Sequence, residues 1–86
     1  IAWGAAGGAA GVAVIKPFDG NPASVGNGVM VALEATDQAQ VDRIYGIALA
    51  HGGSDEGAPG PRGDQGFYAC YFRDPDGNKL NAFVMG

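Results

Sequence analysis

One stretch of this chain decides its fold: residues 67–85 have the sequence FYACYFRDPDGNKLNAFVM. Two runs rich in aromatic and aliphatic residues, 67–73 and 79–85, flank the segment DPDGN at 74–78. Pro75 and Asp76 fit the central positions of a type I turn, and Gly77 fits the left-handed position that follows it. The stretch therefore predicts a hairpin of two antiparallel strands.

The turn also predicts which residues of the hairpin lie opposite each other. With Asp74 opposite Asn78, Tyr71 pairs with Asn81, and alternation sorts the side chains onto two faces. An apolar face, here called the helix face, comprises Tyr68, Cys70, Phe72, Leu80, Ala82 and Val84. The opposite face, here called the open face, comprises Phe67, Ala69, Tyr71, Arg73, Lys79, Asn81 and Phe83. Three aromatic rings among polar groups are typical of a ligand-binding surface.

A helix is predicted over residues 37–51. Its apolar residues recur at helical spacing and form one stripe: Val41, Ile44, Tyr45, Ala48 and Leu49. Thr36 or Asp37 suits the N-cap, and Gly52 suits the left-handed position that ends a helix. The run Val29–Glu34 predicts a strand just before this helix.

The remaining segments have weaker signals. Ile1–Ala5 and Gly11–Phe18 are expected to be short strands joined by a turn of small residues. That Gly-rich joint lacks the spacing G-x-G-x-x-G of dinucleotide-binding loops, so a hairpin turn is favoured over a nucleotide site. Residues 19–27 are predicted to be a loop that resembles a linker, and residues 54–66 to be mostly loop, with room for a short edge strand.

Length, charge and cysteine content limit the functions that the chain can have. The chain has 86 residues and a net charge of −4, which suits one small soluble domain and argues against nucleic acid as a partner. Cys70 is the single cysteine, which excludes an internal disulfide and favours a reducing, cytoplasmic location. No apolar run approaches the roughly 20 residues that span a membrane. Ile1 is not an initiator methionine, so we expect that residues precede it.

Four phrases together resemble a known family. They are GNG at 26–28, ALAHGG at 48–53, EGAPG at 56–60 and FYACYFRDPDGN at 67–78. In this order they are similar to the second module of the vicinal oxygen chelate superfamily, which includes glyoxalases, bleomycin resistance proteins and extradiol dioxygenases. The resemblance covers residues 12–86, nearly the whole chain.

This resemblance implies an α+β fold, a βαβββ module with a curved mixed sheet and one packed helix. In the family, two such modules enclose a cavity. By this interpretation, residues 1–18 are the last strands of an incomplete first module, 19–27 a linker and 28–86 the second module.

The resemblance also implies where a metal would be held, because active members commonly bind a divalent ion with one side chain from each of four strands. The position two residues after the GNG phrase is usually His, and here it is Met30. The position three residues after the turn is usually Glu, and here it is Asn81. A thioether is a soft ligand and an amide is uncharged, so we expect no family-type metal site. Residues 12–16 contain no replacement His, Asp or Glu.

Two reactive residue types have a structural explanation that we prefer. His51 is the sole histidine and falls at the end of the predicted helix, where the dipole favours imidazolium; no partner for base catalysis is located. Cys70 falls on the helix face, so a buried, inert thiol is favoured over a nucleophile. No catalytic residue is assigned.

Two pairs of residues on the open face each have two possible roles. Tyr71 and Asn81 either hydrogen-bond a ligand or satisfy each other. Arg73 and Lys79 either hold an anionic group or are solvated charges at the rim, and the second explanation is favoured.

Three function classes follow. The favoured class is a metal-independent protein that binds a small molecule between modules, through Met30, Tyr71, Arg73, Asn81 and Phe83. The second is a metal-dependent enzyme of the same superfamily, a lactoylglutathione lyase or a dioxygenase. The third is a module that only dimerises. A small-molecule ligand and a homodimer are the expected partners, with no membrane, no nucleic acid and no cofactor unless the enzyme alternative holds.

Overall fold

The computed structural model describes residues 2–4 and 11–85. It contains one helix and two sheets, with β1 and β2 forming a pair and the other four strands forming a mixed sheet in the order β3-β6-β5-β4. The elements are β1 (Ala2–Gly4), β2 (Gly11–Ala13), β3 (Val31–Glu34), α1 (Gln38–Ala50), β4 (Ser54–Pro61), β5 (Phe67–Arg73) and β6 (Lys79–Met85). The α+β class, with a βαβββ module and one packed helix, is confirmed.

The β5–β6 hairpin has the predicted bounds and register, with Arg73 opposite Lys79 and Tyr71 opposite Asn81. The Asp74 carboxylate organises the turn, because its Oδ1 accepts hydrogen bonds from the backbone N–H groups of Asp76 at 3.0 Å and Asn78 at 2.8 Å. Gly77 has a φ of +93°, the left-handed conformation expected of it. Local chemistry therefore decides the register.

The other two strands extend this hairpin on either side. β3 is parallel to β6, with Ala32 beside Asn81, and β4 is antiparallel to β5. A parallel partner requires a crossover, and α1 provides the start of it. β3 begins at Val31, two residues later than expected, so Met30 lies in the preceding loop.

The helix confirms the prediction with slightly tighter bounds. Asp37 is the N-cap, and its Oδ1 accepts a hydrogen bond from the Gln40 N–H at 2.7 Å. The Gln40 Oε1 in turn accepts from the Thr36 N–H at 2.7 Å. At the other end His51 is the C-cap, and Gly52 follows with a φ of +97°. Of the two alternatives for the cap, Asp37 is therefore the correct one, and Thr36 takes part only as a donor to Gln40.

The core lies between α1 and the helix face. Its buried members are Ala35, Val41, Cys70, Phe72 and Ala82, and the partly buried residues packed on them are Ile44, Tyr45, Ala48, Leu49, Tyr68, Leu80 and Val84. Every residue of the predicted helical stripe and of the predicted helix face is in this set. The two periodicities of the sequence were therefore sufficient to locate the core.

The segment 54–66 differs from the prediction. Most of it was expected to be loop, but Ser54–Pro61 forms an eight-residue edge strand. Its register with β5 shifts between Asp55 and Gly57 and again between Gly57 and Gly60. Prolines and glycines are tolerated at an irregular sheet edge, where ladder hydrogen bonds are not all required. A loop and such an edge strand have similar compositions, so composition did not distinguish them here.

The β1–β2 pair is antiparallel, with Ala2 opposite Ala13. Within the described ranges neither strand pairs or packs closely with another helix or strand, although Val12 and Ala13 of β2 line a crevice with Val31 and Leu80. The second strand was expected to reach Phe18 but is observed only as Gly11–Ala13. The predicted turn of small residues at 5–10, and the ends of the first predicted strand, lie outside the described residues. No helix in the described part of the chain has the length and hydropathy needed to cross a bilayer.

Candidate functional site

The open face lies on the side of the sheet opposite α1, and no other helix or strand of the described residues packs against it. Phe67 and Phe83 stack at one end, with ring centroids 5.7 Å apart. Ala69 and Asn81 lie at the centre and are buried, whereas the rings beside them are half-buried. The face thus has a closed floor of small groups between larger, partly accessible side chains.

Two cations lie near the ring of Tyr71. The Arg62 guanidinium is 5.5 Å from the centre of its ring, and the Lys79 ammonium is 5.7 Å from it. Gly57 makes room for this arrangement, because a Cβ there would lie 3.2 Å from both Arg62 Nη2 and Tyr71 Cδ2. Cations over a tyrosine ring are attracted by its quadrupole, which orients both side chains over the sheet.

Arg73 closes the turn end of the open face. Its Nε donates to Glu56 Oε1 at 3.0 Å, and its Nη1 donates to the Gly77 carbonyl oxygen at 2.8 Å. This is the only ion pair among residues 2–4 and 11–85. Lys79 and Arg62 consequently have no carboxylate partner in that part of the chain.

Asn81 is only 3% exposed, and its amide is used structurally. Its Nδ2 donates to the carbonyl oxygens of Cys70 at 3.1 Å and Ala82 at 3.2 Å. Tyr71 lies opposite it, as expected, but the two side chains do not satisfy each other. A buried amide held by two backbone carbonyls is fixed in orientation, so its Oδ1 has a defined direction.

Met30 does not lie beside Asn81 along a strand, because β3 begins one residue after it. It lines a crevice of about 320 Å³ at the turn end of the open face. The other residues lining this crevice are Gly26, Asn27, Gly28, Val29, Arg73 and Lys79. The structure therefore brings Met30 and Arg73 together in one crevice, while Tyr71, Asn81 and Phe83 lie along the same sheet face outside it.

Sequence reasoning missed three residues of this surface, namely Glu56, Gly57 and Arg62. All three belong to β4 or directly follow it, the segment that was expected to be mostly loop. The Arg62 Nη2 donates to the Ala58 carbonyl oxygen at 2.8 Å and its Nη1 to that of Gly60 at 2.9 Å, where the register of β4 shifts. No sequence pattern predicts such an irregular edge, so nothing in the sequence indicated that Arg62 lies at this surface.

The two reactive side chains lie away from the open face. Cys70 is fully buried under α1, and burial raises the pKa of its thiol above the ordinary value. His51 Nδ1 lies 2.9 Å from the Ile47 carbonyl oxygen at the helix end. A thiol that stays protonated and an imidazole held by its own helix both fit structural roles.

Two tyrosine–aspartate hydrogen bonds border the core. Tyr45 Oη donates to Asp55 Oδ1 at 2.9 Å, and Tyr68 Oη donates to Asp42 Oδ1 at 2.6 Å. Each bond raises the pKa of its tyrosine above the ordinary value, and the negative charge of the aspartate acts in the same direction. Both phenols are therefore donors that fasten α1 and β4 around the sheet.

The family model for the Glyoxalase/Bleomycin resistance protein/Dioxygenase superfamily matches residues 2–82. The chain belongs to this superfamily. The resemblance of the four phrases is thereby confirmed, although no curated protein shows significant similarity to the chain.

Two solved structures share the fold. A glyoxalase/bleomycin resistance protein from Albidiferax ferrireducens T118 is 38% identical, with a TM-score of 0.74 over 81% of this chain and 57% of that one. The hypothetical protein SA1046 from S. aureus is 32% identical, with a TM-score of 0.60 over 69% of this chain and 50% of that one. The chain thus spans between half and three fifths of the length of these two structures.

Among the residues that the structure describes, the side chains do not fit the divalent metal that the family implies. No group of three or more His, Cys, Asp or Glu side chains within 2–4 and 11–85 is placed to hold an ion. Met30 offers a thioether, and the nitrogen of the Asn81 amide is engaged with two carbonyls. Neither group supplies the charge or hardness that Mg²⁺, Mn²⁺ or Zn²⁺ prefers.

Proposed function

We propose that this chain binds a small organic molecule on its open face, without a metal. The observation that carries the proposal is a sheet face bearing three aromatic rings that no other element of the described chain covers. A concave or partly accessible face of half-buried rings and a few polar groups is typical of a small-molecule site. The contacts we assign are Met30, Tyr71, Arg73, Asn81 and Phe83, with Asn81 offering only its Oδ1.

A sheet face alone does not enclose a ligand, so the proposal includes a second wall. We propose that a homodimer supplies it, with residues 28–86 as one βαβββ module, 19–27 as a linker and 1–18 as the last strands of another module. Sedimentation of the full chain is expected to give a dimer. A stable monomer that still binds a ligand would remove this part of the proposal only.

Binding is tested by thermal shift with a set of small aromatic molecules, using the full chain and two variants. A compound that stabilises the wild type is expected not to stabilise Tyr71→Leu, because its contact on the open face is lost. Tyr45→Phe is the matched control, since Tyr45 packs on the opposite side of the sheet. A compound that shifts both variants equally would place the site elsewhere.

The metal-dependent alternative, a lyase or dioxygenase of the same superfamily, is tested separately. Metal analysis of the purified chain is expected to show no stoichiometric divalent ion. Tightly bound Ni, Zn, Mn or Fe would favour the enzyme. The double variant Met30→His, Asn81→Glu restores the two family ligand types, and we expect it to bind no metal either, because no further ligands are located.

A further inference from the structure

We propose that the ligand of the open face is an amphipathic organic anion, a monocarboxylate on an apolar, preferably aromatic body. This inference rests on the proposed function and names the chemical class that the same site takes. The carboxylate lies in the crevice between Arg73 and Lys79, and the apolar body extends over the sheet toward Phe83.

The charge distribution carries the argument. The chain has five cationic residues against nine acidic ones, yet Arg62, Arg73 and Lys79 converge on this single face. Glu56 neutralises Arg73 only. Two of the three cations, Arg62 and Lys79, lie near the ring of the same tyrosine, Tyr71.

Two like charges that face each other across the hairpin also favour a bound anion. Arg73 and Lys79 lie directly opposite each other across β5 and β6. Like charges in that position destabilise a sheet, and such a breach of local rules is expected at functional sites. A bound anion between the two would relieve the repulsion, because it places a negative charge against both.

The donors suit a single carboxylate. Arg73 donates hydrogen bonds from its Nε and its Nη1 to other groups of the chain. Its Nη2 donates none within the described residues and can bind a ligand. The Lys79 ammonium is in contact with the Tyr71 ring and has no acceptor in the described residues. One oxygen of the carboxylate can therefore accept from Arg73 and the other from Lys79, and both bonds are charge-assisted.

The rest of the face sets the shape of the body. Phe83 lies four residues beyond Lys79, roughly 13 Å away at the usual rise of a strand. Between these ends the floor is Ala69 and Asn81, both buried and small. A flat apolar body up to that length would rest on this floor and contact Tyr71 and the stacked Phe67–Phe83 pair.

The test uses two probes of the same shape, 2-naphthoate and the neutral 2-naphthamide, titrated into the full chain by calorimetry. We expect 2-naphthoate to bind about tenfold more tightly, the effect of one charge-assisted hydrogen bond. Lys79→Gln should reduce that preference by weakening 2-naphthoate and leaving 2-naphthamide unchanged, with the remaining preference due to Arg73. Arg43→Gln removes one positive charge from an exposed position of α1 and should change neither affinity.

The outcomes separate this inference from the function on which it rests. Equal binding of the two probes would overturn the anion and leave small-molecule binding intact. Equal loss of 2-naphthoate binding in Arg43→Gln and Lys79→Gln would also overturn it, since net charge would then explain the preference. Absence of binding by both probes would contradict the anion and the binding function together.

Discussion

The two faces of the same hairpin differ in what covers them. On the helix face, apolar side chains pack under α1, and the hydroxyls of Tyr68 on this face and of Tyr45 on α1 lie at the border. On the open face, aromatic rings and cations lie half-buried around a buried amide. One alternating sequence therefore builds a stabilising surface and, we propose, a binding surface from adjacent residues. Substitutions on the two faces should separate these contributions.

The largest expected difference is between two phenylalanines. Phe72→Ala empties a buried position under α1 and should lower the free energy of unfolding by about 3–5 kcal/mol. Phe83→Ala removes half of a stacked, partly exposed pair and should cost only about 1 kcal/mol while weakening ligand binding. Urea unfolding of both variants measures this difference, and equal costs would show that the open face is also part of the core.

Asn81 tests the floor of the open face. Asn81→Asp places a carboxylate against the carbonyl oxygens of Cys70 and Ala82, in place of a donor, and should cost about 3 kcal/mol. Gln65→Glu makes the corresponding amide-to-carboxylate change in an exposed loop and should change stability by less than about 0.5 kcal/mol. Chemical denaturation compares them. Similar small effects would mean that the amide is accessible rather than held.

Two glycines should respond in opposite directions to the same substitution. Gly57→Ala introduces a Cβ at a φ of +153°, close to Arg62 and Tyr71, and should cost about 1–3 kcal/mol. Gly46→Ala lies in α1 with open space around it and should stabilise by about 0.5–1 kcal/mol. Melting temperatures give the signs. A stabilising Gly57→Ala would contradict the close packing around Tyr71.

The smallest effect concerns alkaline pH and the border of the helix face. The pKa values of Tyr45 and Tyr68 are raised above 10.0, and that of Cys70 above 9.0. Groups with raised pKa values stabilise the fold below their ordinary pKa, and that stabilisation is lost as the pH rises through the folded value. Stability should therefore fall above about pH 9. The variant Tyr45→Phe, Tyr68→Phe should show a shallower fall above about pH 10 in unfolding titrations; an unchanged slope would mean that these phenols do not contribute.

Prediction succeeded where the deciding interactions are local. Asp74 and Gly77 determine the turn, the turn determines the register, and alternation from it identified both faces. The helical stripe and its caps were equally local and were confirmed. Prediction was incomplete at Ser54–Pro61, where only a short edge strand within a loop was allowed for, because an irregular edge strand is stabilised by the strand beside it rather than by its own composition.

Only part of the candidate site could be predicted from the sequence, for the same reason. The hairpin register places three of its residues on one face, so this part of the site was predictable: Tyr71, Arg73 and Lys79. Arg62 reaches Tyr71 only because the shifted register of β4 turns it back over Gly57. That contact joins residues of two strands through a distorted ladder, which no spacing along the chain encodes.

By itself, the sequence determined the hairpin, the helix, the core between them and the family, since each rests on periodicity, turn chemistry or characteristic phrases. The tertiary structure decided that the Asn81 amide donates to two backbone carbonyls, that Met30 lies in a crevice before β3, and that Arg62 joins Lys79 at the ring of Tyr71. Burial and contact between distant segments depend on how strands lie side by side, and that arrangement exists only after the chain has folded.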